Sequence, residues 1–194
     1  MNKVIAIDFD SVLNDLLGEW VKYLNITYNL NKSIEDIIYW DMTENYPELT
    51  VQQIFSPLYD PLFWLRVPLI PNAKKVVQEM KKEGYKVVVV TDSDYRTIKF
   101  KWENCLLRLL DKVITSKDII ITSQKSLIKC DYIIDDYENN LKDSKAIRLL
   151  IDYPYNRKAQ ENTFDYRCNN IEDAWECILH IEENNRIKEK FKNV

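Results

Sequence analysis

Short apolar runs of strand length recur along the chain. The first, Val4–Ile7, contains no polar residue, which is typical of a strand that is buried on both faces of a sheet. Comparable runs lie at 85–90, 118–121, 132–134 and 146–151. We therefore predict five strands.

Helical spacing of apolar residues fills the segments between these runs. From 14 to 66 no strand pattern appears, and short helical periods follow one another. Longer helices are predicted at 73–82, 95–110 and 171–191, the last with Asn170 as its N-cap. Strands that alternate with helices predict an α/β fold, a Rossmann-like parallel sheet flanked by helices.

The pattern also predicts how the chain is divided. Residues 1–13 and 67–194 are expected to form the α/β core domain. Residues 14–66 are expected to form a small all-helical cap, inserted after the first strand.

Polar residues follow three of the predicted strands. Asp8 and Asp10 follow the first, Thr91 the second, and Asp135 and Asp136 the fourth. An aspartate after a strand is often only a turn or N-cap residue, but the carboxyl ends of parallel strands form the ligand-binding edge of such sheets. Clustered carboxylates need a cation, and oxygen ligands without histidine or cysteine favour Mg²⁺. The pattern predicts a Mg²⁺-dependent phosphoryl-transfer site.

Composition excludes several other functions. Among 194 residues there are two glycines and one histidine, so a Walker loop, a G-x-G-x-x-G fingerprint and an H-E-x-x-H zinc site are impossible. The formal net charge of −4 gives no attraction for nucleic-acid polymers or anionic membranes. No apolar run approaches the ~18 residues that span a bilayer.

Cysteine usage and the start of the chain bear on the compartment. The four cysteines form no C-x-x-C pair and are expected to be reduced thiols. Asp8 and Asp10 interrupt the apolar start, so a signal peptide is not expected. We expect a cytoplasmic monomer or homodimer.

Three of the segments that end strands carry recognisable motifs. Residues 8–12 read D-F-D-S-V, residues 87–91 read V-V-V-V-T, and residues 131–136 read D-Y-I-I-D-D. They resemble the first, second and fourth motifs of the haloacid dehalogenase (HAD) superfamily of phosphatases. The resemblance implies a HAD-like core.

Four further segments narrow the resemblance. F-x-x-x-x-P at 63–68, K-F-K-W at 99–102, K-S-L-I-K-x-D at 125–131 and P-Y-N at 154–156 are similar to segments of 5'(3')-deoxyribonucleotidases. The resemblance implies a Mg²⁺-dependent hydrolase whose small-molecule substrates are deoxyribonucleoside 5'- or 3'-monophosphates.

The same resemblance implies roles for the acidic residues. Asp8 would be the nucleophile that forms an aspartyl-phosphate, and Asp10 would be the general acid and base. Mg²⁺ would be held by Asp8, Asp135 and the main-chain carbonyl of Asp10, with Asp136 acting through water.

Phosphate contacts are implied for both hydroxyl and basic groups. Thr91 and the main-chain N–H of Asp92 would bind the phosphate. Lys99, in the K-F-K-W segment, is our prediction for the catalytic cation, with Lys125 as a second phosphate contact. The alternative assignment, with Lys125 as the catalytic lysine, stays open.

The predicted cap is rich in aromatic residues, which suit stacking on a nucleobase. Most of these rings are expected to form the core of the cap itself. Phe63, which matches an aromatic of the family segment, and Leu16 are predicted to line the substrate pocket.

Three other functions remain possible from the sequence. The same chemistry could act on another small phosphorylated metabolite. A signalling domain that holds a phospho-aspartate also pairs acids with Mg²⁺, although a second acid at Asp10 argues against it. A catalytically silent binding protein is the third, and the intact acidic set argues against that.

Overall fold

The computed structural model describes residues 3–107 and 110–192 and contains a six-stranded parallel sheet. The strands are β1 (Val4–Ile7), β2 (Lys86–Thr91), β3 (Ile119–Ile121), β4 (Tyr132–Asp135), β5 (Ile147–Ile151) and β6 (Tyr166–Cys168). Their order in the sheet is β3-β2-β1-β4-β5-β6. The predicted α/β fold is confirmed.

The edge strand β6 was not predicted. It has three residues, and Tyr166 and Arg167 are exposed, so it lacks the apolar run that marked the other strands. Its position comes from parallel pairing with β5, in which Leu149 lies opposite Tyr166.

The chain reverses its direction across the sheet at β1. It passes from β1 to β2 and β3 on one side, then crosses back to β4, which pairs with β1 on the other side. Ile5 of β1 thus lies between Val87 and Tyr132. Such a switch point opens a crevice at the carboxyl ends of the strands, here β1 and β4.

Helices cover both faces of the sheet and fill the insertion. The α-helices are α1 (Leu16–Tyr28), α2 (Met42–Asn45), α3 (Val51–Phe55), α4 (Pro61–Arg66), α5 (Ala73–Lys82), α6 (Ile98–Lys101), α7 (Glu138–Leu141) and α8 (Ile171–Lys192). Asn170 caps α8, since its side-chain oxygen accepts from the N–H groups of Glu172 and Asp173 at 2.9 and 3.0 Å. Within 3–107 and 110–192, every helix is too short or too polar to cross a membrane.

The helix predicted at 95–110 is shorter than its pattern suggests. α6 begins only at Ile98, because the Asp94 carboxylate accepts from the N–H of Arg96 at 2.8 Å and its carbonyl accepts from Thr97, which forms a turn instead. After α6 the chain continues as a π-helical turn, Trp102–Leu106. Residues 108–109 of the prediction lie outside the described residues.

The helical insertion leaves and rejoins the core at adjacent points. The N–H of Asp15 donates to the carbonyl of Pro68 at 2.9 Å, and the N–H of Ile70 donates to that of Leu13 at 3.0 Å. α1 to α4 lie between these crossings. The insertion therefore stands directly beside the carboxyl end of β1.

Candidate active site

Three buried aspartates lie together at the carboxyl edge of the sheet. Asp8 follows β1, Asp135 ends β4, and Asp136 comes next. Because β1 and β4 are neighbours, one oxygen of each carboxylate lies within 4.8 Å of the others, and none of the residues is more than 6% exposed. The strand order thus brings together residues that are more than a hundred positions apart.

Burial of three acids changes their protonation. Removal from water raises the pKa of Asp8 to about 7, an effect that Lys125 opposes and Asp135 reinforces. Burial, together with the charges of Asp8 and Asp135, raises the pKa of Asp136 well above its ordinary value. The cluster therefore holds protons near neutral pH that a bound cation would displace.

Lys125 partly neutralises this cluster. It lies in a short 3₁₀ turn, Lys125–Leu127, and its buried ammonium is 2.7 Å from Oδ2 of Asp8 and 2.8 Å from Oδ2 of Asp135. Burial alone would lower the pKa of Lys125, but the two carboxylates raise it above its ordinary value. Lys125 is therefore a cation fixed directly against the predicted nucleophile.

A second buried lysine holds the other predicted catalytic acid. The ammonium of Lys101, which is 1% exposed, donates to Oδ2 of Asp10, to Oγ1 of Thr91 at 2.5 Å and to the carbonyl of Asp92 at 2.8 Å. The side-chain amide of Asn14 donates to the remaining oxygen of Asp10 at 3.0 Å. Lys101 thus joins the end of β2 to the loop after β1.

Lys99 does not reach the site, so the structure corrects the prediction that it supplies the catalytic cation. Residues two apart on a helix point in nearly opposite directions. On α6 this geometry leaves Lys99 exposed and turns Lys101 inward. The K-F-K-W segment does supply a lysine, but it is the second one.

The loop after β2 carries the remaining predicted phosphate contacts. Thr91 is fully buried, whereas Asp92 is exposed and its carboxylate accepts from the N–H of Ser93 at 2.8 Å. Both residues adjoin Lys101, through the Thr91 hydroxyl and the Asp92 carbonyl.

The donor atoms of the cluster suit a hard divalent cation. All are carboxylate oxygens, which Mg²⁺ prefers in proteins. Oδ1 of Asp136 is buried and has no hydrogen-bond partner among the described residues. Asp10 is predicted at the metal through its main-chain carbonyl. Its side chain lies outside the cluster and is held by Lys101 and Asn14.

An apolar cavity of about 230 Å³ opens onto these carboxylates. Asp8, Asp10, Asp136 and Lys125 contribute its charged end. The insertion supplies apolar side chains to the wall: Leu16, Leu17, Trp20, Ile37, Trp40, Met42 and Leu58. Ser11, Asp92 and Tyr155 of the core complete the lining. Leu16, which is predicted to line the substrate pocket, thus lines this cavity.

Phe63 does not line this cavity, which corrects the second pocket prediction. Its ring is fully buried in the insertion, edge-on to Tyr23 and Trp64 at centroid distances of 5.9 and 5.8 Å. On α4 Phe63 and Trp64 are buried and the other four residues are exposed, so Phe63 is on the inward face that packs the insertion.

A second cavity, of about 260 Å³, lies on the other side of Leu16 and Leu58, which line both. It too reaches Asp10 and Asp92, and Lys101 forms part of its wall. Tyr59 of the insertion lines this cavity, and the guanidinium of Arg96 lies 5.0 Å from its ring centre. Asp10 is thus accessible from both cavities.

Comparison with known proteins places this geometry in a family. The sequence model of the family described as "5' nucleotidase, deoxy (Pyrimidine), cytosolic type C protein" matches residues 2–184. The chain belongs to this family. The 5'(3')-deoxyribonucleotidase of Bacillus subtilis (strain 168) is 34% identical over 168 residues, which are 84% of this chain and 92% of the relative. That of Clostridium acetobutylicum is 31% identical over 169 residues, or 84% and 89%.

Solved structures related to this deoxynucleotidase family member share its fold. A haloacid dehalogenase-like hydrolase from Streptococcus pneumoniae has a TM-score of 0.60 at 14% identity and covers 91% of this chain and 98% of its own. A HAD family hydrolase from Deinococcus radiodurans R1, solved with bound phosphate and sodium, has a TM-score of 0.57 at 12% identity over 89% and 93%. These structures show the HAD-like fold. The family model and the named relatives show the class of phosphoric monoester hydrolase.

Several residues of this deoxynucleotidase family member that face its site were not singled out from the sequence. Lys101 lies two residues after Lys99, which matches the family segment, and so it is not predicted. Residues two apart on a helix face opposite sides, which is the signal that separates the two lysines. Trp20 and Trp40 were noted only among many rings of the insertion. Tyr155, whose hydroxyl donates to Asp136, was noted only for its resemblance.

Proposed function

We propose that the protein hydrolyses deoxyribonucleoside 5'- or 3'-monophosphates with the help of Mg²⁺, through an aspartyl-phosphate on Asp8. The observation that carries this proposal is the position of Asp8. It lies at the charged end of an apolar cavity, beside Lys125 and the other two acids of the cluster. The family relatives named 5'(3')-deoxyribonucleotidase support the choice of substrate.

The carboxylate of Asp8 attacks the phosphorus atom, and the bond from phosphorus to the ester oxygen breaks. Asp10, protonated at this stage, gives its proton to the departing oxygen. Water then attacks the aspartyl-phosphate, Asp10 takes up a proton from that water, and inorganic phosphate leaves. Asn14 and Lys101 fix both oxygens of Asp10, which keeps the acid in one orientation.

Two lysines offset negative charge during this reaction. We assign Lys125 as the catalytic cation, because its ammonium contacts the nucleophile itself. Lys101 and Thr91, which are already in contact, would bind the phosphoryl oxygens together with the main-chain N–H of Asp92.

Asp8, Asp135 and Asp136 would hold Mg²⁺, with the carbonyl of Asp10 as a further ligand. Bound there, Mg²⁺ offsets the charge of the phosphoryl oxygens. The free oxygen of Asp136 and the exclusively carboxylate donor set support this assignment.

The helical insertion would act as a cap over the leaving group. Its side of the cavity is lined only by apolar and aromatic side chains, among them Trp20 and Trp40. Such a wall suits a flat base, and closing it excludes water from the aspartyl-phosphate. The flat faces of a base can pack on this wall, whereas a sugar phosphate has no comparable apolar surface, which favours a nucleotide.

Release of inorganic phosphate tests this function. A panel of deoxyribonucleoside and ribonucleoside monophosphates and sugar phosphates is assayed with Mg²⁺, with EDTA, and with the Asp8→Asn variant. We expect turnover of deoxyribonucleotides that requires Mg²⁺ and that Asp8→Asn lowers by at least ~10³-fold. Turnover of sugar phosphates alone would support the phosphatase mechanism but refute deoxyribonucleotides as the substrates. No turnover by folded protein would refute the enzymatic function.

A further inference from the structure

Two tyrosines in the loop after β5 hold two separate parts of the active site. The hydroxyl of Tyr153 donates to the carbonyl of Ser11 at 2.8 Å, in the loop after β1. The hydroxyl of Tyr155 donates to Oδ2 of Asp136, at the end of β4. The two rings are stacked, with centroids 5.3 Å apart and planes 2° from parallel.

The loop that carries Tyr155 is itself fixed. Asn156, which is fully buried, donates through its side-chain amide to the carbonyls of Asp136 and Ile151, at 2.8 and 2.7 Å. Asp136 is therefore held at both its main chain and its side chain by consecutive residues. These contacts orient its carboxylate toward the cluster.

The hydrogen bond from Tyr155 also makes the two carboxylate oxygens of Asp136 different: Oδ2 accepts from the tyrosine, and Oδ1 has no partner among the described residues. Every oxygen of Asp8 and Asp135 has a hydrogen-bond or ion-pair partner among the described residues, and so does Oδ2 of Asp136. Oδ1 of Asp136 has none. A phenol is neutral, so it orients Asp136 without cancelling the negative charge that attracts a cation.

The insertion packs directly on this arrangement. The ring of Trp40 is stacked on Tyr137 at 3.9 Å, with planes 7° from parallel, and it meets the ring of Tyr155 edge-on at 5.3 Å. Beside it Arg157 pairs with Glu35 of the insertion at 2.7 Å. Trp40 belongs to the insertion, whereas Tyr137 and Tyr155 belong to the core, so these ring contacts depend on the insertion lying over the core.

We propose that Tyr155 is a positioning residue for the divalent cation: it fixes Asp136 so that Oδ1 is presented to the metal, and Trp40 supports Tyr155 when the insertion is closed. This rests on the proposed Mg²⁺-dependent function. Partners that orient a metal ligand typically change metal affinity by about 10- to 100-fold when removed.

Direct titration with Mg²⁺ by calorimetry, without substrate, tests the role of Tyr155. Tyr155→Phe removes the hydroxyl and keeps the ring, and we expect Mg²⁺ to bind about 10-fold more weakly. Tyr166→Phe removes an exposed hydroxyl on β6, outside the site, and is the matched control. It is expected to bind Mg²⁺ as the unaltered protein does.

The activity of the same variants provides a second readout. At saturating Mg²⁺ we expect Tyr155→Phe to recover most of its kcat, because only the occupancy of the metal site is reduced. A permanent loss of kcat with unchanged Mg²⁺ affinity would overturn the proposal. An equal loss of Mg²⁺ affinity in Tyr166→Phe would also overturn it, since the effect would then not depend on the hydrogen bond to Asp136.

Trp40→Leu tests the contribution of the insertion. We expect it to weaken Mg²⁺ binding by several-fold in the absence of substrate. Unchanged Mg²⁺ affinity would refute the support from Trp40. If the unaltered protein itself binds no Mg²⁺, the proposed function fails, whereas equal binding by the unaltered protein and Tyr155→Phe refutes only the role of Tyr155.

Discussion

The carboxyl edge of the sheet and the helical insertion both line the cavity of about 230 Å³, but they differ in how directly the sequence reveals them. At the sheet edge, Asp8, Thr91 and Asp135 were found at the ends of apolar runs, and the structure brings them to one edge. In the insertion, the helices were predicted but the ring chosen for the pocket, Phe63, lies in the packed interior. The charged end of the site was therefore easier to predict than its apolar wall.

The difference has a physical cause. A polar residue buried at the end of a strand is an exception to the surrounding pattern, so it attracts attention. An aromatic ring in a small helical unit is expected in any case, because such a unit needs a core. Exposure to a cavity then depends on which face of a short helix meets a neighbouring element, and α2 to α4 have only four to six residues each.

The largest expected effect concerns the second acid of the sheet edge. Asp10→Asn removes the proposed general acid while keeping its size, and we expect kcat to fall by about 10²- to 10⁴-fold. Asp143→Asn, an exposed aspartate outside the site, is the matched control. The kcat of each variant is measured by steady-state kinetics. If Asp10→Asn keeps the full kcat, Asp10 is not the general acid, and the sheet edge then does not differ in this respect from other acidic residues of the protein.

Separate substitutions of Lys125 and Lys99 test which lysine acts as the catalytic cation. Lys125→Met leaves the charges of Asp8 and Asp135 without their cation, and we expect kcat to fall by about 10²- to 10³-fold. Lys99→Met removes an exposed charge, so its kcat should be unchanged. The reverse result would restore Lys99 as the catalytic lysine and contradict the assignment from geometry.

Two aromatic residues of the insertion are expected to have different roles: Trp40 lines the cavity, and Phe63 packs in the interior. Trp40→Ala should raise KM for a deoxyribonucleotide about 10-fold, since stacking on a base contributes about 1–3 kcal/mol. Phe63→Ala should instead lower the free energy of unfolding by about 3–5 kcal/mol, with KM unchanged for the folded fraction. The free energy of unfolding and KM are measured for both variants, by thermal unfolding and steady-state kinetics. A rise in KM for Phe63→Ala at full folding would return Phe63 to the pocket.

The smallest expected effect is the pH dependence of Mg²⁺ binding at the sheet edge. Burial raises the pKa of Asp8 to about 7, so below that pH the folded, metal-free protein retains a proton that Mg²⁺ must displace. We therefore expect affinity to increase with pH, and to be roughly 4-fold weaker at pH 6.5 than at pH 8. Calorimetric affinities that do not vary with pH would show that Asp8 is ionised throughout this range.

Much of the fold was predictable because its signals are local. The bounds of β1, α5 and α8 follow closely from apolar runs, helical periods and the N-cap at Asn170. β6 was missed, because an edge strand with two exposed residues has no local pattern and forms only by pairing with β5. The early part of the helix predicted at 95–110 was lost to the Asp94 turn, where a side chain competes with the helix for main-chain N–H groups.

That acids and a hydroxyl follow buried strands can be seen in the amino-acid sequence, and strands connected by helices are expected to be parallel. Their convergence at one edge of the sheet follows from this. Which lysines face those acids, which rings face the cavity, and the contact between Tyr155 and Asp136 are fixed by the packing of the folded chain. These contacts join residues far apart in the chain, and their geometry depends on strand order and on the rotation of short helices, neither of which leaves a periodic signal in the sequence.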